Sequence, residues 1–581
     1  SGDATTLDTV RVTAPPLAEV KTSEVGTNIS LKQINTVPQL TRNFLEFADS
    51  VPGMQFTTDG SGHSDIRGGA QQTSAVNVYI DGVGQKSYLF GGVSGQQQSA
   101  GNPFPQLAIG EYKVITSNYK AEFDQVGSAA IVAATKSGTN EFHGEVFGRH
   151  TDSSWRTDTA GEKAPGKDRQ KTHQNEYGFA LGGPIIQDKM HFFVSYEGKG
   201  FVLPADPVVP SSNVGIENYL PDAVRAKLGP VTRPFQEDLY FGKIDWEIGD
   251  NDKLEFSAKI RDEDSRDSVG GNTTAAAAKN NKNRERRYDL KWDHYGEMYL
   301  NEARITYEDV LFNPTAYAIG NQSRYTLGSA TNAPLVLIDD ATSGLAIQRK
   351  GQKGPAFQND ITFNALQWHG DHVIKAGIKY KQVDLTQSEN SAINPTFFYS
   401  INDGSRPVTA YEPIGTNGTP YQVRFNLPFA GATPSVTTAD KQYGFYIQDD
   451  WDVNEKLQLN IGLRWDYEEI PSYLNHVTPA EVVAALTTGP GIDPAVSATY
   501  GEQLAKGGVN INDYISNGHN RKADKNNWAP RFGFSYDLNG DENHVIFGGI
   551  GRSYDRNLYD YMGLEQVKAA LAQYTIRFVE S

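Results

Sequence analysis

The chain has 581 residues, 38% of them hydrophobic, and a formal charge of −17 from 53 basic and 70 acidic side chains, a balance that argues against nucleic acid as a partner. No run of 18 apolar residues occurs, which excludes a transmembrane helix, and the absence of cysteine removes disulfides and thiolate metal ligands. Aromatic residues make up 11%, enough to furnish the interfacial girdles of a membrane β-barrel.

Residues 1–27 are polar and extended, with Pro15-Pro16 blocking regular structure. No signal peptide opens the chain, so an exported protein is read here in its mature form. Residues 28–140 have the pattern of a small α/β domain. Ser30 with Gln33 forms a capping box for a short helix, and Thr41 is placed to cap a second one carrying Phe44, Leu45 and Ala48. Val76, Val78 and Ile80 predict a strand ending in the turn Asp81-Gly82, and Tyr112, Val114 and Ile115 predict another. Between them, residues 91–106 form a Gly- and Gln-rich loop too long for a routine connection, a feature of functional or disordered segments.

Residues 141–581 change period. Leu457, Leu459, Ile461, Leu463, Trp465 and Tyr467 are interleaved with Gln458, Asn460, Gly462, Arg464, Asp466 and Glu468, so one face of this segment is oily and the other wet. Thirteen such strands are predicted, near 141–151, 175–185, 190–201, 238–248, 252–264, 284–294, 298–312, 355–368, 372–386, 441–452, 456–469, 527–537 and 544–555. Gln573–Val579 is a candidate fourteenth. Connections alternate strictly between short turns and long loops, which puts all long loops at one end. The prediction is an antiparallel transmembrane β-barrel with lipid outside and water or a polar plug inside.

Motifs for catalysis or metal binding fail on inspection. Asp450, Asp452 and Asn454 begin like a calcium loop, but Glu455 stands where glycine is needed and Ile461 where glutamate is needed. Gly548, Gly549 and Gly551 lack the rest of a dinucleotide fingerprint. The 11 histidines show no HExxH spacing, and neither a nucleophile elbow nor a P-loop occurs. Nothing positive supports an enzyme, a cofactor or a metal.

Several segments resemble one family. Leu7 to Ala14 (LDTVRVTA) resembles a TonB box. Asp65-Ile66-Arg67-Gly68 and Val78-Tyr79-Ile80-Asp81-Gly82-Val83 resemble plug motifs of TonB-dependent outer-membrane receptors. NPFPQLAIGEYKVITSNYKAEFDQ (102–125), SAAIVAATKSGTNEFHGEVFG (128–148), YGFYIQDDW (443–451), LNIGLRWDYE (459–468) and WAPRFGFSYD (528–537) are similar to the Oar-like subgroup. The resemblance implies a TonB box and periplasmic linker at 1–27, a plug at 28–140 and a barrel from 141 to 581. It assigns Leu7, Asp8, Thr9, Val10, Arg11, Val12, Thr13 and Ala14 to TonB, gripped by strand addition to a sheet edge. Arg67, Gly68, Asp81 and Gly82 become plug residues, Arg67 either bridging to an acidic barrel wall or pairing within the plug.

Family barrels with a plugged lumen have about 22 strands, and 13 or 14 are predicted here. Strands roughly 4.8 Å apart and tilted about 40° close at a diameter of about 28 Å for 14 and about 44 Å for 22. A plug of roughly 110 residues is about 34 Å across, so the expectation is part of a larger barrel. The implied partners are TonB, outer-membrane lipid and an unidentified extracellular ligand. The implied role is energised transport across the outer membrane. The alternative is a receptor, adhesion, signalling or protein-export role on the same barrel. Tyr88, Leu89, Phe90, Gln96, Gln97 and Gln98 are the candidate ligand contacts, combining aromatic surface with uncharged donors and acceptors.

Overall fold

The computed structural model describes residues 22–59, 61–158, 163, 168–209, 215–327, 335–341, 348–389, 393–401, 420–429, 431–491 and 498–578. Seven strands come first: β1 (Val25–Ile29), β2 (Met54–Thr58), β3 (Ser64–Gly68), β4 (Val76–Ile80), β5 (Val83–Gly84), β6 (Ile109–Ser117) and β7 (Ala129–Thr135). Five of them form a sheet in the order β1-β6-β7-β4-β5, while β2 and β3 make a separate hairpin. All five residues of β4 are buried, because this strand has a sheet neighbour on each side and packed layers on both faces. The capping box at Ser30 and Gln33 starts the helix Leu31–Thr36. The next element is a 3-10 helix, Phe44–Ser50, and its cap is Asn43 rather than Thr41. The Thr41 hydroxyl and amide donate instead to the Glu46 carboxylate, which draws Thr41 away from the capping position.

The remaining strands follow in chain order. First come β8 (His143–Asp152), β9 (His173–Ile186), β10 (Met190–Ala205), β11 (Val231–Glu247), β12 (Asp252–Asp267), β13 (Lys279–Tyr295) and β14 (Tyr299–Phe312). Then come β15 (Thr315–Ala316), β16 (Gln322–Leu327), β17 (Leu335–Asp340), β18 (Gln348–Gln367), β19 (Asp371–Glu389), β20 (Thr396–Ile401) and β21 (Gln422–Pro428). Last are β22 (Ser435–Asp452), β23 (Leu457–Glu469), β24 (Trp528–Asp537), β25 (Val545–Gly551) and β26 (Leu571–Arg577). One 14-stranded sheet runs β25-β24-β23-β22-β19-β18-β14-β13-β12-β11-β10-β9-β8, with β15 beside β13. Among the described residues its end strands β8 and β25 do not pair with each other, so the sheet curls round the plug without closing. No helix among them is long and apolar enough to cross a membrane.

Each of the thirteen predicted barrel strands is present. Several run further toward the long loops than expected; β18 begins at Gln348, not near 355. Its first seven residues, Gln-Arg-Lys-Gly-Gln-Lys-Gly, carry no apolar alternation, yet Lys350 to Lys353 still pair with β19. Backbone ladders continue where side chains no longer meet lipid, so an alternation rule stops short. The candidate fourteenth strand is corrected. Leu571–Arg577 is extended, but it pairs with β21 in a second sheet, β17-β16-β20-β21-β26, built from the long loops. That sheet buries a small core of its own around Leu220, Tyr325, Leu337 and Ile338.

The barrel inverts the usual distribution of polarity. Ile305 is 56% exposed on the outer face, while Arg261, Glu237 and Glu285 are 0% exposed within. Along β13, Glu285, Arg287, Asp289 and Asp293 face inward, whereas Tyr288, Leu290 and Trp292 face out, as the two-residue period requires.

Candidate functional site: the plug against the barrel wall

The inward charges form a ladder across neighbouring strands. Arg261 on β12 pairs with Glu237 on β11 at 2.8 Å and also with Glu263. Lys259 reaches Glu285 on β13 at 2.9 Å. Arg287 bridges Glu285 at 2.6 Å and Glu308 on β14 at 2.5 Å, and Lys381 on β19 meets Glu308 at 2.9 Å. Alternating signs let each buried charge find a partner on its own strand or one or two strands away, and removing one partner leaves the other stranded at a cost of about 3–5 kcal/mol.

The plug docks on this ladder through polar groups. Ser94 donates to Glu285 at 2.9 Å and accepts from Arg287 at 2.8 Å. The Asn102 amide donates to both oxygens of Glu237, at 2.9 and 3.0 Å, and the Leu107 amide donates to Glu197 at 2.6 Å. A side chain on Gly101 would place its Cβ 2.2 Å from the Glu237 carboxylate, so any other residue there must push that buried, ion-paired carboxylate aside. Further round the wall, Lys120 meets Asp450 at 2.9 Å and Glu122 meets Lys375 at 2.5 Å. Burial alone would push the Glu122 carboxyl up, but the Lys375 and Lys120 ammonium groups hold it down, at about 2. Apolar contacts join plug and wall as well: Phe104 packs on Phe241 of β11 with ring centroids 5.1 Å apart, and Ala180 and Phe193 of the wall belong to the same buried cluster as the plug core.

A cavity of about 450 Å³ separates the Asp81-Gly82 turn and Asp124 from the wall at Lys243, Lys291 and Lys375. Its lining carries charges of both signs, an environment that favours water over apolar occupants.

The residues singled out in the sequence divide into several groups. Leu7, Asp8, Thr9, Val10, Arg11, Val12, Thr13 and Ala14 lie outside the described residues. Arg67 is exposed on β3 and lies 3.9 Å from Asp65, an ion pair within the plug. A Cβ on Gly68 would come within 2.9 Å of Ala129, so Gly68 lets the hairpin pack on β7. Asp81 accepts from the Thr135 amide at 2.8 Å and hydroxyl at 2.7 Å, tying the turn to β7. Gly82 has φ +82° and would carry a Cβ 2.8 Å from Arg304, so it serves both the turn and a close approach to the wall. Tyr88 and Leu89 are buried with Val383, Leu385, Ile470 and Tyr559, and Phe90 lies edge-on to Phe312 at 5.6 Å. Gln96 accepts from Ser64 at 3.2 Å, and the Gln97 carbonyl accepts from Asn283 at 3.2 Å. Gln98 is exposed, with φ +49°.

Sequence reasoning missed the inter-strand ion-pair ladder and the segment after β25. Inward charge was visible in the alternation, but which strands become neighbours across the long loops was not.

A family model described as an outer membrane beta barrel domain matches residues 134–214 and 203–578. The chain belongs to this family. This outer membrane beta barrel protein is 30% identical over 198 residues to the TonB-dependent transporter Oar of Myxococcus xanthus, covering 32% of this chain and 17% of that protein. The resemblance read from the sequence is thereby borne out, as is a location in the outer membrane. Among solved structures, the outer membrane transporter YddB from Escherichia coli superposes with a TM-score of 0.63 at 14% identity, covering 94% of this chain and 63% of that one. The siderophore receptor PirA from Acinetobacter baumannii gives 0.56 at 13% identity, with 92% and 62% covered. At such identities the likeness is one of fold. The chain spans less than two thirds of the length of these relatives.

Proposed function

We propose that the protein is a TonB-dependent outer-membrane receptor that captures an extracellular ligand and admits it when TonB pulls on Leu7 to Ala14. The observation that carries this reading is the polar seat of the plug. Its attachment at Ser94, Asn102, Leu107, Lys120 and Glu122 runs through hydrogen bonds and ion pairs to the wall, contacts that water can replace as they part. Apolar contacts add to the seat, Phe104 on Phe241 and Leu89 among Val383 and Leu385, but its many polar contacts suit a plug that moves. Strand β1, the first described strand after the proposed handle, lies at the edge of the plug sheet beside β6 alone. A pull arriving from residues 7–14 therefore meets the contacts of Ser23 with Asn118 and of Glu24 with Lys113, and then a single ladder.

The long loops face outward in this reading, and ligand is met by them together with the plug loop at 88–104. Of the six candidate contacts on that loop, Gln96, Gln97 and Gln98 are the ones not packed into the wall cluster around Tyr88 and Leu89. Deleting Leu7 to Ala14 tests the assignment. Energy-dependent uptake is expected to disappear while the barrel folds and ligand binding persists. Uptake at the parental rate in the deletion overturns it.

A further inference from the structure

After β25 the chain leaves the barrel wall. Residues 552–558 have no regular secondary structure, and they lead into the helix Tyr559–Ala569. This segment reaches the plug. Asp555 pairs with the buried Lys86 at 2.7 Å, the Tyr559 amide donates to the Tyr88 carbonyl at 3.0 Å, and the Asp560 amide donates to the Leu89 carbonyl at 3.1 Å. Between these contacts sits Arg556, whose side chain is only 6% exposed. One of its nitrogens, Nη2, donates to both Asp440 on β22 and Glu468 on β23. Its guanidinium carbon lies 3.9 Å from the centre of the Tyr88 ring.

This arrangement has the parts of a recognition site for a planar cation. Glu468 stands opposite Gln442, two residues beyond Asp440 on the same face of β22, so the two carboxylates are diagonal neighbours on the lumen wall. Two like charges so close, Asp440 fully buried and Glu468 20% exposed, are relieved by a cation between them or by a proton on one of them, and here Arg556 supplies the cation. The aromatic face of Tyr88 completes a geometry suited to guanidinium, by ion pairing in one direction and stacking in the other. The present occupant nevertheless fits incompletely. Arg556 Nη1 and Asp440 Oδ1 are both buried without a protein hydrogen-bond partner, which leaves one donor and one acceptor of the pair open to another group, as Oε2 of Glu285 is in the wall ladder. Arg556 is also carried by an irregular segment rather than by a barrel strand, so it can be withdrawn without breaking the wall's ladder.

We propose that Tyr88, Asp440 and Glu468 form a binding site for an arginine side chain of an extracellular basic peptide, and that Arg556 fills it while ligand is absent. The proposal rests on the receptor reading above and adds the chemistry of the ligand. An incoming guanidinium displaces Arg556. The same movement draws Asp555 from Lys86 and Tyr559 from the Tyr88 carbonyl, so the plug segment 86–91 loses its fastening to the outer segment as the site is taken. Tyr88 is thus both part of the seat for the ligand and part of what the displaced segment had held.

The test uses the full chain in detergent, with a fluorescein-labelled tri-arginine peptide as probe and its citrulline counterpart as the uncharged control. A self-occupied site that is open about one time in ten weakens the apparent affinity about tenfold, so Arg556→Gln is expected to bind the arginine peptide roughly tenfold more tightly than the parent. Adding Asp440→Asn and Glu468→Gln to that variant abolishes the gain, and the citrulline peptide gains nothing in either. Arg556→Lys preserves the charge in case the glutamine variant does not fold, and it is expected to give a smaller gain. Unchanged affinity for the arginine peptide in the folded Arg556 variants, or an equal gain for the citrulline peptide, overturns the proposal and makes Arg556 a fixed structural pair. Binding here needs no TonB, so this failure is separate from that of the receptor reading, which the deletion of Leu7 to Ala14 addresses.

Discussion

Asp124 of the plug meets Lys379 of β19 at 2.7 Å, with the Tyr79 hydroxyl donating to the same carboxylate at 3.2 Å and the Arg464 guanidinium 3.7 Å away. Burial would push the Asp124 carboxyl up, but the Lys379 and Arg464 charges outweigh it and hold the group well below the usual carboxylate range. Glu122 is held down in the same way. A carboxylate whose folded pKa is depressed stabilises the fold above its unfolded value and loses that contribution as pH falls toward the folded one. Attachment of the plug should therefore be constant from neutral pH to about pH 4, where unfolded carboxylates titrate, and weaken below. Lys379→Met should cost about 2–4 kcal/mol, since Arg464 still partly balances Asp124, and should move the acid loss to higher pH. Limited proteolysis of the plug across a pH series measures both effects.

His63 responds to pH in the opposite direction. Its imidazole lies 3.1 Å from Asp59 on the plug and 3.4 Å from Asp267 at the end of β12. Burial would lower its pKa, but the two carboxylates outweigh that and hold it above the ordinary value of 6.5. A raised folded pKa stabilises below the unfolded value and is lost as pH rises through the folded one. The link between plug and β12 should hold at pH 6 and loosen above neutrality. His63→Gln should remove that dependence, as read by hydrogen exchange in residues 59–64.

Gly101→Ala should destabilise the plug by about 1–3 kcal/mol, the range for forcing a methyl group into an occupied space, because the new Cβ would lie 2.2 Å from Glu237. Gly249→Ala in a short turn is the matched control, with nothing within 4 Å of its Cβ. Thermal melts of the two variants should differ by several degrees.

Leu89→Ala removes a buried side chain from the cluster with Val383, Leu385 and Tyr559 and should cost about 2–4 kcal/mol. Replacing Gln96, Gln97 and Gln98 by alanine should leave the melting temperature unchanged and weaken ligand binding. If affinity is intact, or falls only together with stability, ligand must be met by the barrel loops alone.

Protease added to intact cells should cut within 206–230, 390–434 or 471–527 and spare the turn at Gly249 to Asn251. Cleavage at that turn from outside would reverse the orientation.

The sequence by itself determined the barrel. A two-residue alternation is imposed by lipid on one side and water on the other, so all thirteen long strands could be read locally, and the short turns set their antiparallel order. The capping box at Ser30 was equally local. Tertiary structure decided what depends on residues far apart in the chain. Arg261 can be seen to face inward from β12 alone, but its pairing with Glu237 depends on the register of β11 across a turn, and the contacts of both with the plug depend on how Gly95 to Asn102 lies against them. Tyr88 offers an aromatic ring in any reading of the sequence. That it lies under Arg556, between Asp440 and Glu468, follows only once strands from residues 435 to 469 and a segment near 556 have closed over a loop near residue 88. Periodicity reports the environment of one strand, whereas a site assembled from a plug loop, two wall strands and a returning segment exists only after long-range closure has brought them together.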